Sequence, residues 1–166
     1  SRLRIIAERF SKIGSVPDLQ LVSLNETVLT AVNYITNRTS DKVKIQCHFP
    51  DKNHIFIKLN VPLFEWVIEN LCKNAIDAMD GSGKIYINIS KNDKECYIDV
   101  KDTGKGIERK KFKTIFNPGF TTKSRGWGLG LSLAKRIVEE YHEGKIFVKS
   151  SELNIGTTFR IILKAI

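Results

Sequence analysis

Apolar residues recur along this chain at helical spacing in some stretches and at every second position in others, and the change of period marks the elements. Leu3, Ile6, Phe10 and Ile13 stand three or four apart with Arg4, Glu8, Arg9 and Lys12 outside the stripe, which predicts an amphipathic helix over 2–13. The stripe begins in mid-pattern, as the tail of a longer helix would. Gly14-Ser15-Val16-Pro17-Asp18 breaks it and marks the one boundary, so residues 1–18 read as a helix end and linker and 19–166 as the domain proper. An edge strand is predicted at 20–23, followed by a helix to about 37 capped by Ser23 or Asn25, and by strands at 43–49 and 54–59. Pro62 suits the first turn of a helix that runs to Met79 and stops at Gly81-Ser82-Gly83. Alternating strands follow at 84–90 and 95–101, joined by the turn Lys91-Asn92-Asp93-Lys94. Residues 103–129 are rich in Gly, Lys and Thr and read as a long loop with one turn of helix near 108–114. A helix at 130–142, ended by Gly144, and strands at 145–150 and 157–164 complete the pattern. The short turn at 91–94 allows only a hairpin, so the sheet is at least partly antiparallel. A two-layer α/β sandwich follows.

Composition narrows the picture. A chain of 166 residues, 42% hydrophobic and 27% charged, can bury one substantial core. No stretch approaches the roughly 18 consecutive apolar residues that span a bilayer, so no membrane contact is expected within it. Cys47, Cys72 and Cys96 are odd in number and lack C-x-x-C spacing, which points to buried thiols in a reducing cytoplasm rather than to disulfides or zinc. The net charge of +9 raises the question of nucleic acid. The lysines are spread along the chain, however, and Arg109-Lys110-Lys111 reads as solvated surface, so no nucleic-acid partner is expected.

Several polar residues break the apolar pattern. Asn70 and Asn74 stand one turn apart at the border of the apolar face of helix 62–79, with Asp77 nearby. They could bond neighbouring backbone, or form a polar floor whose amide oxygens suit a hard cation such as magnesium. Asp102 shares the inward parity of Cys96, Ile98 and Val100, where a carboxylate is costly unless something donates to it. An adenine amino group is such a donor. Gly104 and Gly106 then clear space for a flat ligand, although an Asp-Thr-Gly turn alone would also account for them. Thr157 shares inward parity with Phe159, Ile161 and Leu163. Thr121, Thr122, Lys123, Ser124 and Arg125 precede the alternate glycines Gly126, Gly128 and Gly130 that open a helix, a combination of hydroxyls, cations and bare amides suited to a triphosphate. Phe112, Phe116 and Phe120 read as hydrophobic pins for the loop, and Trp66 and Trp127 as packing residues.

Taken in order, Glu69-Asn70-Leu71-Cys72-Lys73-Asn74-Ala75, Asp102-Thr103-Gly104-Lys105-Gly106, Ile115-Phe116-Asn117-Pro118-Gly119-Phe120-Thr121-Thr122-Lys123, Gly126-Trp127-Gly128-Leu129-Gly130-Leu131 and Gly156-Thr157-Thr158-Phe159 resemble the boxes of the ATP-binding catalytic domain of bacterial sensor histidine kinases. That family shares a superfamily with gyrase, MutL-type repair proteins and heat-shock chaperone ATPases. The resemblance covers about 20–165 and implies a Bergerat-type fold, a mixed, largely antiparallel sheet with helices on one face and a mobile ATP lid over 107–127. It implies ATP and Mg2+ as cofactors, with Asn74, and Asn70 alongside it, on the metal. Asp102 would take the adenine amino group, assisted by Gly104, Gly106, Ile107 and Thr157. Thr121, Thr122, Lys123, Lys73 and the backbone of Gly126, Gly128, Leu129, Gly130 and Leu131 would serve the phosphates. Glu69, Asn70 and Lys123 would be catalytic, Glu69 by polarising the phosphoacceptor.

The implied activity is transfer of the ATP γ-phosphoryl group to a histidine on an adjoining dimerisation domain, and onward to a response regulator in two-component signalling. Many relatives carry Lys or Arg where this chain has Asp77, and a smaller residue in place of Trp127. His48 and His54 fall on predicted strands and His142 at a helix end, so none has the setting of a phosphoacceptor. The chain therefore reads as the cytoplasmic catalytic piece of a homodimeric kinase, monomeric by itself, with helix 2–13 as the end of a dimerisation helix. An ATP-hydrolysing clamp of the MutL or chaperone type is the alternative, but it would require an acidic base where Asn70 stands.

Overall fold

The computed structural model describes residues 17–49, 52–120 and 130–166. The first helix shows how local chemistry fixes an end. Ser23, extended at φ −72° and ψ 117°, caps α1 (Leu24–Thr36) by accepting from the Glu26 N–H at 3.2 Å. Asn25 makes a longer-range contact, its Oδ1 accepting from the Ile55 N–H at 2.8 Å and tying the helix start to the chain entering β3 (Phe56–Leu59). At α2 (Val61–Ala78), Asn60 caps through the Leu63 N–H at 3.2 Å and Pro62 occupies the first turn. The helix closes as Asp80 (φ 54°) and Gly81 (φ 81°) turn left-handed and the Gly81 N–H returns to the Ile76 carbonyl at 3.0 Å.

The main sheet has five strands, ordered β2 (Val43–His48), β4 (Gly83–Lys91), β5 (Glu95–Asp102), β7 (Gly156–Lys164) and β6 (Lys145–Glu152). Only β2 and β4 pair in parallel, because the chain between them crosses over through α2, and the other three pairings are antiparallel. The sequence pattern predicts β1 (Gln20–Ser23) as an edge strand. It is one, pairing with β3 in a separate two-stranded ribbon rather than joining the main sheet, and in this ribbon Ile57 and Leu59 turn into the core while Leu21 and Phe56 stay exposed.

Helices cover one face of the sheet. Ile85, Ile87, Ile89, Cys96, Ile98, Val100, Phe159, Ile161 and Leu163 point into the buried layer, against Leu24, Val28, Ala31, Leu63, Val67 and Leu71 of the helices. Each fully buried isoleucine of this set contributes about 1.5–3 kcal/mol relative to exposure. The opposite face is polar, and its centre is Asp99, which receives Arg160 Nε at 2.8 Å and Nη2 at 2.9 Å.

The predicted helix at 130–142 divides into α3 (Gly130–Arg136) and a π-helical turn over Ile137–Tyr141. The wider turn lets Ile137 and Val138 stay buried while the His142 Nδ1–H reaches the Ile137 carbonyl at 3.0 Å. Residues 103–120 contain two short 3-10 turns, Arg109–Lys111 and Thr114–Phe116. Phe116 pins this segment to the sheet, edge-on to Phe159 with ring centroids 6.1 Å apart, and Phe112 and Phe120 pack at the core margin. Trp66 is buried as a packing residue. The three cysteines are free thiols, but only Cys72 and Cys96 are buried, since Cys47 faces half outward from strand β2. Among the described residues no helix is long and apolar enough to cross a membrane.

Candidate functional site

Asp102 ends β5 on the inward face and is 3% exposed. Its Oδ1 accepts from the Gly104 N–H at 2.9 Å and the Thr157 N–H at 3.2 Å. Burial pushes the carboxyl above its ordinary value, and the two backbone donors oppose that shift. The Gly104 bond is the Asp-Thr-Gly turn anticipated from sequence, and the Thr157 bond is the cross-strand contact that shared parity implies. Both donors land on one oxygen. Oδ2 has no protein donor among the described residues and is the acceptor left for a ligand.

The segment after Asp102 is threaded between two walls. On one side the Lys105 N–H donates to the Ala78 carbonyl at 2.9 Å, and a Cβ on Gly104 would sit 2.6 Å from that same oxygen. Only glycine lets the strand end approach the C-terminus of α2 this closely. On the other side Gly106 (φ +79°) lies against the backbone of Glu152 and Leu153, and the Asn154 N–H donates to the Lys105 carbonyl at 2.7 Å. The Ile107 N–H then donates to Ser151 Oγ at 2.7 Å, and Ser151 Oγ lies 2.7 Å from Thr157 Oγ1.

The α2 face supplies the second half of the site. Asn70 and Asn74 are four residues apart and thus roughly 40° apart around the helix. A Cβ on Gly130, the first residue of α3, would meet Asn70 Oδ1 at 2.7 Å and Nδ2 at 3.0 Å, so the helix start rests on this amide. Asn70 Nδ2 is buried without a hydrogen-bond partner among the described residues. A buried amide donor left unmet costs about 1–3 kcal/mol, so this position favours an acceptor beyond the described residues. Amide oxygens such as those of Asn70 and Asn74 are of a type that suits a hard cation. Glu69 lies deeper, 1% exposed, and its charge adds to the burial that pushes the Cys72 thiol up to about 12.

Asp102, Gly104, Gly106, Ile107 and Thr157 thus meet at one end of the sheet, while Asn70 and Gly130 meet beside α2. Leu131 packs against the core behind Gly130. Lys73 stands apart: one residue before Asn74, it lines a groove of about 460 Å³ between α1 and α2 with Tyr34, Arg38 and Asp77. Thr121, Thr122, Lys123, Gly126, Gly128 and Leu129, together with Trp127, lie outside the described residues. Ser151 is the residue bordering the Asp102 pocket that sequence reasoning missed, and the buried partner of His142 at the start of α2 was missed as well. Strict alternation from Ile146 and Val148 turns Ser151 outward, and nothing in the chain around His142 reveals its partner, the Asn60 N–H, which donates to Nε2 at 3.1 Å.

Residues 60–165 match the model of the histidine kinase-, DNA gyrase B- and HSP90-like ATPases. The chain belongs to this family. It is 32% identical over 144 residues to sporulation kinase C of Bacillus subtilis, a match covering 87% of this chain and 33% of that protein. Sensor histidine kinase ZraS of Salmonella typhimurium is 35% identical over 150 residues, 89% of this chain and 32% of that one. The chain therefore spans about a third of the length of these curated relatives. Among solved structures, the nucleotide-free catalytic domain of the histidine kinase ThkA superposes with a TM-score of 0.80 at 26% identity, covering 89% of this chain and 96% of that one. The mixed sheet with helices on one face is the fold of these catalytic domains.

Proposed function

We propose that this chain is the ATP-binding catalytic domain of a two-component sensor histidine kinase, which delivers the γ-phosphoryl group of ATP to a histidine on an adjoining dimerisation domain. The observation that carries the reading is Asp102, a buried carboxylate with both backbone donors on one oxygen and the other oxygen left for an adenine amino group. Thr157 and Ile107 border that base pocket. Asn74 and Asn70 would hold Mg2+, which when bound neutralises phosphate charge, and the unmet Asn70 amide would donate to a phosphate oxygen or to water. Lys123 and the amides of Gly126, Gly128, Leu129, Gly130 and Leu131 would grip the phosphates, with Thr121 and Thr122. Lys73, which lines the α1 groove, would supply a further phosphate contact. Glu69 would polarise the acceptor imidazole.

The chain's own histidines are poor targets. His142 is buried with both ring nitrogens engaged, and His54 Nδ1 lies 2.9 Å from Ser23 Oγ. The acceptor in this reading belongs to an adjoining dimerisation domain, whose helix end and linker would fall in residues 1–18, of which 1–16 lie outside the described residues. The whole protein would be a homodimer that passes phosphate to a response regulator. The test incubates the chain with γ-labelled ATP and magnesium, alone and with a separately supplied dimerisation domain. Acid-labile label on the added domain only is expected. Stoichiometric label on His48, His54 or His142 refutes the reading.

A further inference from the structure

Strand β6 contains an irregularity that changes which side chains face the nucleotide pocket. Its register runs Ile146 to Ile161, Phe147 to Arg160 and Val148 to Phe159, then resumes at Ser150 to Thr158 and Ser151 to Thr157. Lys149 is the extra residue of a β-bulge. Without it, the two-residue alternation set by the buried Ile146 and Val148 would turn Ser151 toward solvent. With it, Ser151 stands opposite Thr157 on the inward face. The outer side holds the bulge residue in place, where Lys149 Nζ lies 3.5 Å from Asp99 Oδ2. Bulges of this kind re-aim side chains next to functional sites.

The re-aimed hydroxyl has more claims on it than it has protons. Ser151 Oγ accepts from the Ile107 N–H at 2.7 Å, lies 2.7 Å from Thr157 Oγ1, and lies 3.2 Å from the Gly156 carbonyl. It carries one proton. If that proton goes to Gly156, Thr157 must spend its own proton on Ser151. If it goes to Thr157, the Thr157 proton is free to point at whatever lies beside Asp102. Thr157 is meanwhile tethered by its backbone N–H to Asp102 Oδ1 at 3.2 Å. Ser151 thus decides the direction of the Thr157 hydroxyl, whose own backbone N–H meets the buried carboxylate, and fixes the first residue after Gly106.

We propose that Ser151 is a positioning residue for the base end of the nucleotide site, orienting the Thr157 hydroxyl and anchoring Ile107 for recognition of adenine. The inference rests on the nucleotide reading of the Asp102 pocket. It touches no phosphate, so its effect belongs to the base alone. In the bulged register Ser151→Ala removes the acceptor of the Ile107 N–H and releases the Thr157 hydroxyl, whereas Ser151→Thr keeps an oxygen at the same place.

The experiment titrates the wild-type chain, Ser151→Ala and Ser151→Thr with ATP and with inosine triphosphate, each with magnesium, and follows hydrogen exchange at the Ile107 amide without nucleotide. Ser151→Ala is expected to bind ATP about 5- to 10-fold more weakly and to lose most of its preference for ATP over inosine triphosphate, the size of one misplaced hydrogen bond. Its Ile107 amide should exchange faster, and Ser151→Thr should restore both properties. Equal weakening of both nucleotides would make Ser151 a structural residue and overturn the proposal. So would unchanged ATP affinity, or unchanged Ile107 exchange, in a folded Ser151→Ala. Failure of the wild type to bind either nucleotide would overturn the nucleotide reading itself, which the variants' exchange rates would show separately from any failure at Ser151.

Discussion

Replacing Asp102 by asparagine separates recognition from folding at one atom. An asparagine Oδ1 can accept from both the Gly104 and the Thr157 N–H groups, now 2.9 and 3.2 Å from Asp102 Oδ1, so the backbone contacts survive. The amide NH2 then occupies the place of Oδ2 and presents a donor where the adenine amino group also brings a donor. Losing that hydrogen bond and leaving a buried donor unmet costs about 1–3 kcal/mol, or roughly a 5- to 150-fold drop in ATP affinity. Stability should move the other way. Because burial raises the Asp102 carboxyl, the folded state holds the proton more tightly than the unfolded chain, and this contribution is fully present below the ordinary carboxylate value and lost as pH rises through the raised one. At neutral pH the wild type therefore bears a desolvated charge that the variant lacks. Asp102→Asn should unfold at the same or a higher temperature at pH 7, and it should lack the wild type's decline in stability across the weakly acidic range. Calorimetric titration with a non-hydrolysable ATP analogue and magnesium, paired with thermal melts from pH 4 to 7, measures both arms. Unchanged nucleotide affinity in a folded Asp102→Asn would remove Asp102 from the site and with it the observation on which the functional reading stands.

Gly130→Ala should weaken nucleotide binding severalfold with little loss of stability, because its Cβ would fall 2.7 Å from Asn70 Oδ1 and push that amide aside; equilibrium binding beside a melt checks it. His142 is held neutral by burial, which lowers its pKa, so stability should fall as pH drops below about 6.5 while the unfolded chain gains a proton that the fold refuses. His142→Gln, which keeps an acceptor for the Asn60 N–H, should flatten that dependence in denaturant titrations at pH 5 and 7. Ile161→Ala, at a fully buried position in the middle of β7, should cost about 2–5 kcal/mol in urea unfolding and leave nucleotide affinity within twofold.

Where the physics is local, the chain disclosed its structure. Asp102 and Thr157 could be assigned inward because each continues an unbroken alternation of apolar residues, and both are buried. The capping of α1 was nearly legible: the choice between Ser23 and Asn25 was decided by Ile55, a partner 30 residues away whose N–H claims Asn25. Pairings between distant segments were not legible at all. Nothing in residues 20–23 distinguishes an edge strand of the main sheet from a ribbon with β3, and nothing in 43–48 announces that it runs parallel to β4. Ser151 was hidden for a sharper reason, since one inserted residue reverses parity and the alternation itself does not mark where the insertion fell. Lys73 shows how little adjacency in a sequence box says about direction: it stands next to Asn74, but one step along a helix is a turn of 100°, and it lines the groove beside α1.

The inward positions of β5, β6 and β7 divide sharply along the strands. Cys96, Ile98 and Val100, Ile146 and Val148, and Phe159, Ile161 and Leu163 are apolar, whereas Asp102, Ser151 and Thr157 are polar and follow or precede those runs at the same end of the sheet. Antiparallel pairing is what brings them together, because the last residues of β5 and β6 must lie beside the first residues of β7. A polar cluster in the middle of these strands would have interrupted apolar packing on both sides, but at the strand ends it displaces only the last layer. The stability lost to a buried carboxylate is then confined to a place where the chain already has to turn, and where Gly104, Gly106 and Gly156 let backbone take over the contacts that side chains make elsewhere. Substitutions in the apolar run should therefore act on folding and substitutions in the polar layer on binding, and a variant of the polar layer that lost stability without losing nucleotide would show that the division is one of position only.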